Sequence, residues 1–204
     1  MSAPDWNGSE HEGTSFDGAA LLDSVMLNCR FTNCTFRHAE LDDALTRGCW
    51  FIDCDFSGAR LNSSQHESTA FLNCRFNAAT LMFARFTECK LTGSRFDDAQ
   101  LAGLIVAGGD WSYVDLAGQD LRGRNLRGLR LVEANLERCN LEKVDLRDAD
   151  LTNAVLTQAS LRNADLRGAT LDGIDLKSLT LRDVRIDVAG AILLALSHGA
   201  LVDL

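Results

Sequence analysis

Residues 141–170 read LEKVD LRDAD LTNAV LTQAS LRNAD LRGAT, a run of five-residue units that each begin with leucine. Counted in fives in both directions, the same position is apolar from Phe16 to Ile186, and only Thr46 and His66 depart from it. Neither the 3.6-residue period of a helix nor the two-residue period of a strand produces a strict period of five. We therefore expect a chain that turns a corner at every fifth residue and points each apolar side chain at a common axis.

The other positions of the unit agree with a repeating tube. The residue two before each apolar centre is usually small, as at Ala149 and Ala154, which suits a second inward position. The residue two after the centre is usually Gly, Asn or Asp, and 13 of the 16 glycines stand there. These residue types tolerate the backbone angles of a tight corner, so this position is predicted to form the bend.

Units such as ADLTN at 149–153 and ADLRG at 164–168 carry the motif of the pentapeptide repeat family, which this chain resembles over about residues 14–188. The resemblance implies an all-β solenoid, a right-handed quadrilateral parallel β-helix with four units per coil. The repeats would fill roughly eight to nine coils, and stacking at the strand spacing of ~4.8 Å gives a rod about 40 Å long.

The sequence indicates one elongated domain, because it has one proline and no Gly/Ser-rich linker. We expect residues 1–13 to form an N-terminal lead-in or cap, 14–186 the β-helix, and 187–204 a C-terminal helix. In the lead-in, Trp6 keeps the register and is expected to close the open end of the tube, whereas His11 does not continue the pattern.

The C-terminal segment reads as a helix, with Asp187 suited to the N-cap, His198 in the last turn and Gly199 just past the end. One face is expected to cap the tube. The remaining apolar surface is predicted to meet a second copy in a two-fold homodimer. The residues expected to form this dimer helix are Val188, Ile192, Leu193 and Leu196.

The cysteines favour a structural role. All seven occupy the small inward position, with no CxxC pair and no cluster of His and Cys ligands. They are predicted to behave as small apolar residues, with Cys34, Cys54 and Cys74 stacked in successive coils. The sequence therefore predicts no metal and no cofactor.

His66 is the most unusual candidate for chemistry, because it stands at an inward centre next to Thr46 in the stack. It would either mark a reactive pocket or be a buried histidine that is hydrogen-bonded to backbone or to a neighbour such as Thr46. The second interpretation is favoured, because a filled tube leaves no cavity where catalytic groups converge. We predict that the protein is not an enzyme.

The chain is acidic, with 29 acids, 20 bases and a net charge of −9. Residues 1–110 carry −7 and residues 111–204 carry −2. Such a balance disfavours direct binding of nucleic acid, since phosphate contacts supply most of that affinity. No apolar run of membrane-spanning length and no export signal is evident, so we expect no membrane association and a cytoplasmic location.

Within the family, the stretch 64–66 (SQH) and the ending 185–188 (RIDV) followed by a helix resemble the MfpA and Qnr branch of fluoroquinolone-resistance proteins. This resemblance implies a homodimeric rod that mimics duplex DNA, binds DNA gyrase, modulates its activity and protects it from fluoroquinolones. The alternative is an interaction scaffold for a different protein partner.

Binding is expected on the outer surface. The acids predicted to point outward and contact the partner are Glu40, Asp42, Asp43, Asp97 and Asp98. Outward apolar side chains would either add anchoring contacts or simply cover the edges of the ladder, and the sequence does not choose among them. They include Trp50, Ile52, Leu72, Met82, Phe83 and Tyr113.

Overall fold

The computed structural model describes residues 6–203. Residues along the chain pair in parallel with residues 20 positions later, from Glu10 with Arg30 to Asp165 with Arg185. Four five-residue units therefore make one coil, and the predicted parallel β-solenoid is confirmed. About five turns, residues 10–110, contain strands of at least three residues, and single-residue bridges join the coils beyond them.

The strands are short because a corner follows every fifth residue. In chain order they are β1 Glu10–Glu12, β2 Val25–Leu27, β3 Arg30–Thr32, β4 Leu45–Arg47, β5 Trp50–Ile52, β6 Gln65–Glu67, β7 Ala70–Leu72, β8 Arg85–Lys90 and β9 Ile105–Asp110. Strands β1, β3, β5 and β7 stack in one column, and β2, β4 and β6 stack in the next. β8 pairs with both β6 and β7, and β9 pairs with β8.

Because the register is constant, equivalent positions of each unit lie above one another, as Phe31 does with Phe51. We number the four faces by their central residues and name each corner by the faces it joins. In the N-terminal half, face 1 has Phe16, Phe36, Phe56, Phe76 and Phe96; face 2 has Leu21, Leu41, Leu61, Leu81 and Leu101; face 3 has Met26, Thr46, His66, Phe86 and Val106; face 4 has His11, Phe31, Phe51, Phe71, Leu91 and Trp111.

The corners confirm the predicted role of the residue two after each centre. Asn33 and Asp53 have φ of 52° and 53°, in the left-handed region that Asn, Asp and Gly enter most readily. The same conformation is imposed on bulky residues at two corners, where Phe83 and Tyr113 both have φ of 60°.

The core of the N-terminal half is a stack of rings. On face 1 the rings of Phe36 and Phe56 lie parallel at 4.8 Å between centroids, and those of Phe56 and Phe76 at 5.0 Å. On face 4 the rings of Phe31 and Phe51 also stack at 4.8 Å. This distance matches the strand spacing, so each ring contacts the rings one coil before and one coil after it. From Leu116 to Leu176 every centre is leucine, and all of them are buried.

The solenoid begins earlier in the chain than residue 14. β1 pairs with β3 in register, which places His11 opposite Phe31 with their rings stacked at 5.1 Å. The prediction that His11 does not continue the pattern was wrong. Although His11 is polar, its ring stacks on that of Phe31 and occupies the central position of its unit. Trp6 is buried and packs edge-on against His11 and Phe16, as expected of a residue that closes the tube. Residues 1–5 of the predicted lead-in lie outside the described residues.

The ladder is interrupted in the middle of the rod. Bridges join residue 80 to 100 and residue 120 to 140, but no bridge joins Gln100 to Asp120. On the next face, no bridge joins Ile105 to Asn125. Two long side chains stand in the small inward position there. Nε2 of Gln119 donates to the carbonyl of Phe96 at 2.7 Å, and Nη2 of Arg124 donates to that of Leu101 at 3.3 Å. Both side chains line an open groove of about 460 Å³ between these coils, which we call the gap.

The C-terminal end matches the predicted helix. After a 3₁₀ turn at Leu176–Ser178, helix α1 runs over Val188–Ser197. Oδ1 of the N-cap Asp187 accepts from the backbone N–H of Gly190 at 2.8 Å, and its Oδ2 accepts from that of Gly168 at 2.7 Å. These two bonds lower the pKa of Asp187 and join the helix to a coil of the solenoid. His198 is the C-cap residue rather than part of the last turn, and residue 204 lies outside the described residues.

Candidate protein-binding surface

His66 forms a closed polar cluster inside the tube. Ser64 Oγ donates to the carbonyl of Leu61 at 2.7 Å, so its oxygen accepts from Nε2 of His66 at 2.9 Å. Nδ1 lies 2.8 Å from Thr46 Oγ1, which is itself 3.1 Å from Thr69 Oγ1. Burial lowers the pKa of His66 to about 3, so the ring is neutral at physiological pH. The predicted bond to Thr46 is confirmed, and a ring that is 3% exposed with both nitrogens occupied offers nothing to a reactant.

The cysteines occupy the inward position as predicted. All seven are buried free thiols, and Cys49 Sγ donates to the carbonyl of Met26 at 3.2 Å. Burial raises the pKa of Cys139 to about 12 and those of Cys49 and Cys89 to about 11, which keeps these thiols protonated. Over residues 6–203, no group of three or more His, Cys, Asp or Glu side chains is placed to hold a metal ion. The same residues contain no helix long and apolar enough to cross a membrane.

Three of the five candidate acids lie together on face 2 and at its corner with face 3. Asp43 is exposed. Asp42 corrects the prediction that it points outward, because it is 6% exposed. Its Oδ2 lies 2.6 Å from Arg60 Nη2, and its Oδ1 accepts from the backbone N–H of Asn62 at 3.0 Å. Glu40 is half-buried and lies 3.7 Å from Arg60, so these two acids share one cation and Asp43 is the free charge of the group.

The other two candidates, Asp97 and Asp98, are exposed at corner 1/2, on the opposite edge of face 2 from Asp43. They lie three coils further along the rod, or about 14 Å at the strand spacing. Within residues 6–203, no cation lies within ion-pair distance of Asp43, Asp97 or Asp98. Face 2 is thus bordered by uncompensated negative charge on both edges.

Acids in the C-terminal half are held differently. Arg147 and Arg167 each bind the aspartate two positions earlier, at 2.6 Å. The Arg167 hydrogen bond lowers the pKa of Asp165 to about 2. Arg122 and Asp120 repeat the arrangement. These pairs neutralise the surface locally.

Of the outward apolar side chains singled out from the sequence, Phe83 and Tyr113 are the most exposed, at 66% and 54%. Trp50 is covered on one face by the guanidinium of Arg30, 5.4 Å from the ring centroid. Ile52, Leu72 and Met82 are half-buried. Sequence reasoning missed Leu22, Val25 and Ile105, which are also exposed. The sequence could have indicated their exposure, because each is an aliphatic residue next to a corner, a position that is usually polar.

Comparison with known proteins agrees with this architecture. The family model described as pentapeptide repeats (8 copies) matches residues 112–148 and 139–177, where the leucine-centred units are most regular. Residues 112–177 thus match the pentapeptide repeat family, and the described solenoid residues outside them keep the same 20-residue pairing register. A trypsin-treated form of QnrB1, a plasmid-mediated fluoroquinolone resistance protein, has a similar structure, with a TM-score of 0.75 and 21% identity over 96% of this chain and 99% of that chain.

Full-length QnrB1 is similar as well, with a TM-score of 0.70 and 20% identity over 94% of this chain and 98% of that chain. No curated protein matches the sequence. At this level of identity the likeness shows that this chain and QnrB1 share a fold along nearly their whole lengths. The more specific resemblance to MfpA remains a prediction.

Proposed function

We propose that this protein binds DNA gyrase through its outer surface, modulates the enzyme and protects it from fluoroquinolones. The observation that carries the proposal is that acidic residues without an ion-pair partner lie along both edges of face 2. The solenoid that presents them shares its fold with a fluoroquinolone resistance protein. A gyrase surface that receives DNA is basic, and an acidic rod is complementary to it.

The charge is too small for the protein to act as a full copy of DNA. Duplex DNA carries one negative charge per ~1.7 Å, so about 40 Å of it holds roughly 24 charges. This protein has a net charge of −9. The proposal therefore places the effective charge locally, at Asp43, Asp97 and Asp98, and assigns the rest of the affinity to shape and apolar contacts.

We further propose that residues 187–204 join two copies into a homodimer. Leu193 and Leu194 pack against the solenoid core, as a cap does. Val188 and Leu196 are exposed on the same helix, and Ile192 is half-buried. Apolar surface at the end of a rod is suited to a two-fold contact with a second copy, which would double the length of the rod.

The alternative is a scaffold for another protein partner. The observation that favours it is the net charge of −9, which is far below the roughly 24 negative charges on about 40 Å of duplex DNA. In that case the acids would serve solubility, and gyrase would be indifferent to the protein.

The experiment is a titration of gyrase binding with two charge variants. Replacement of Asp43, Asp97 and Asp98 by Asn should weaken binding about tenfold, since each exposed ion pair contributes at most ~1 kcal/mol. Replacement of Glu10, Glu12 and Glu88 by Gln changes the net charge equally on other parts of the surface and should leave binding unchanged. Wild-type affinity should also fall as salt rises. If both variants bind gyrase with equal affinity at all salt concentrations, the acids at the edges of face 2 do not contribute to binding.

A further inference from the structure

Exposed apolar side chains are concentrated at one corner of the rod. Of the large apolar residues that are exposed on the described solenoid, four of seven lie at corner 2/3, which comprises residues 22–25, 42–45, 62–65, 82–85 and 102–105. The four are Leu22, Val25, Phe83 and Ile105; the other three are Trp50, Tyr113 and Val155.

Phe83 is poorly placed for stability. Its φ of 60° is a conformation that bulky residues seldom adopt, and two-thirds of its surface is in water. The ring lies against Gly103 of the next coil, where an added Cβ would stand 2.3 Å from Cδ1. Asn or Gly at this position would meet the demands of the corner with less strain, as Asn33 and Asn73 do at theirs. The fold alone does not account for an aromatic ring here.

The charges at the corner indicate the chemistry of a partner. Corner 2/3 has three acids, Asp23, Asp42 and Asp43, against one cation, Arg85. Asp42 is paired with Arg60, whereas within the described chain Asp23 and Asp43 have no ion-pair partner. Corner 2/3 thus combines exposed apolar side chains with a net charge of −2 along its length, although Asp43 lies two coils before Phe83 and Arg85 lies in the same coil. Net negative charge disfavours nucleic acid and anionic lipid surfaces and suits a protein with an apolar socket and a basic rim.

We propose that corner 2/3 is the docking surface of the N-terminal half and that Phe83 is its anchor. The ring would enter an apolar socket on the partner, with Ile105 and Met82 packed beside it and Asp43 facing basic residues at the rim. An aromatic side chain that fills a pocket on the partner is typical of interface hot spots. The identity of the partner as gyrase rests on the proposed function.

The test compares two aromatic residues in the same backbone conformation. Phe83→Asn removes the ring from corner 2/3, and Tyr113→Asn removes an equally strained and exposed ring from corner 4/1. Both variants should unfold in urea at the same concentration as wild type or higher, because Asn accepts the left-handed corner better. Phe83→Asn should weaken gyrase binding about tenfold or more, while Tyr113→Asn should bind as wild type does.

The outcomes separate the two proposals. If wild type binds gyrase and Phe83→Asn binds equally well, the docking surface is wrong and the proposed function stands. If both variants lose affinity to the same extent, the ring at corner 2/3 has no special role and the inference is also overturned. If wild type does not bind gyrase at all, the proposed function fails and the inference fails with it.

Discussion

Replacement of His66 by Phe should remove a specific part of the pH dependence of stability. The ring of His66 lies 4.6 Å from that of Phe86 and is almost completely buried, so a phenyl ring continues the stack. The hydroxyls left behind keep other partners, since Ser64 donates to the carbonyl of Leu61 and Thr46 lies beside Thr69. The substitution therefore removes a titrating group and leaves its surroundings satisfied.

The magnitude follows from the pKa. An unfolded chain protonates His66 near its ordinary pKa of 6.5, whereas burial lowers the folded value to about 3. Above pH 6.5 both states are neutral and the full stability is present. As pH falls from 6.5 toward 3, the unfolded state binds a proton that the folded state does not, so the free energy of unfolding falls. At about pH 5.5 the loss should be about 1.4 kcal/mol.

The assay is urea denaturation of both proteins at about pH 8 and about pH 5.5, the lower value being above the pI of about 4.8, where the loss of net charge promotes association. Carboxylates contribute equally to both proteins, so the comparison isolates His66. Wild type should lose about 1.4 kcal/mol more than the variant between the two pH values. An equal loss in both proteins would refute the neutral, buried state of His66.

Three further predictions concern packing. Phe56→Ala should lower the free energy of unfolding by ~3–5 kcal/mol, because rings on both sides lose their contact, and Cys54→Ala should cost far less; chemical denaturation compares them. Gln119→Ala combined with Arg124→Ala should close the gap, so that hydrogen exchange of the amides facing it slows; unchanged exchange would show that these side chains do not hold it open. Leu196→Glu should give a folded monomer by light scattering, and a wild type that is already monomeric at micromolar concentration would exclude the dimer.

Much of the fold could be predicted because the period is strict. A corner at every fifth residue, inward cysteines, stacked phenylalanines and the contact between His66 and Thr46 all follow from register alone. Burial of Asp42 did not follow, since its position reads as outward and only the nearby Arg60 and the amide of Asn62 draw it in. The prediction for His11 was wrong because the histidine side chain is polar, yet its flat ring stacks on Phe31 as a phenyl ring does.

The candidate surface was less accessible to sequence reasoning than the fold. The sequence identifies the acidic residues. Which of them lack an ion-pair partner depends on whether an arginine of a neighbouring coil reaches them, and the five-residue period does not determine this. The sequence contains an indication of the gap, because Gln119 and Arg124 occupy the inward position that is usually a small residue. The sequence did not indicate that they would bond to carbonyls of the preceding coil rather than turn outward.

The central claim is tested most directly by DNA gyrase supercoiling with and without ciprofloxacin, over a titration of this protein. The protein should modulate supercoiling in the absence of drug and restore activity in its presence, and the variant lacking charge at Asp43, Asp97 and Asp98 should need about tenfold more protein for either effect. If a large excess of the wild-type protein leaves both supercoiling and drug inhibition unaffected, the protein does not act on gyrase and a different protein partner is favoured.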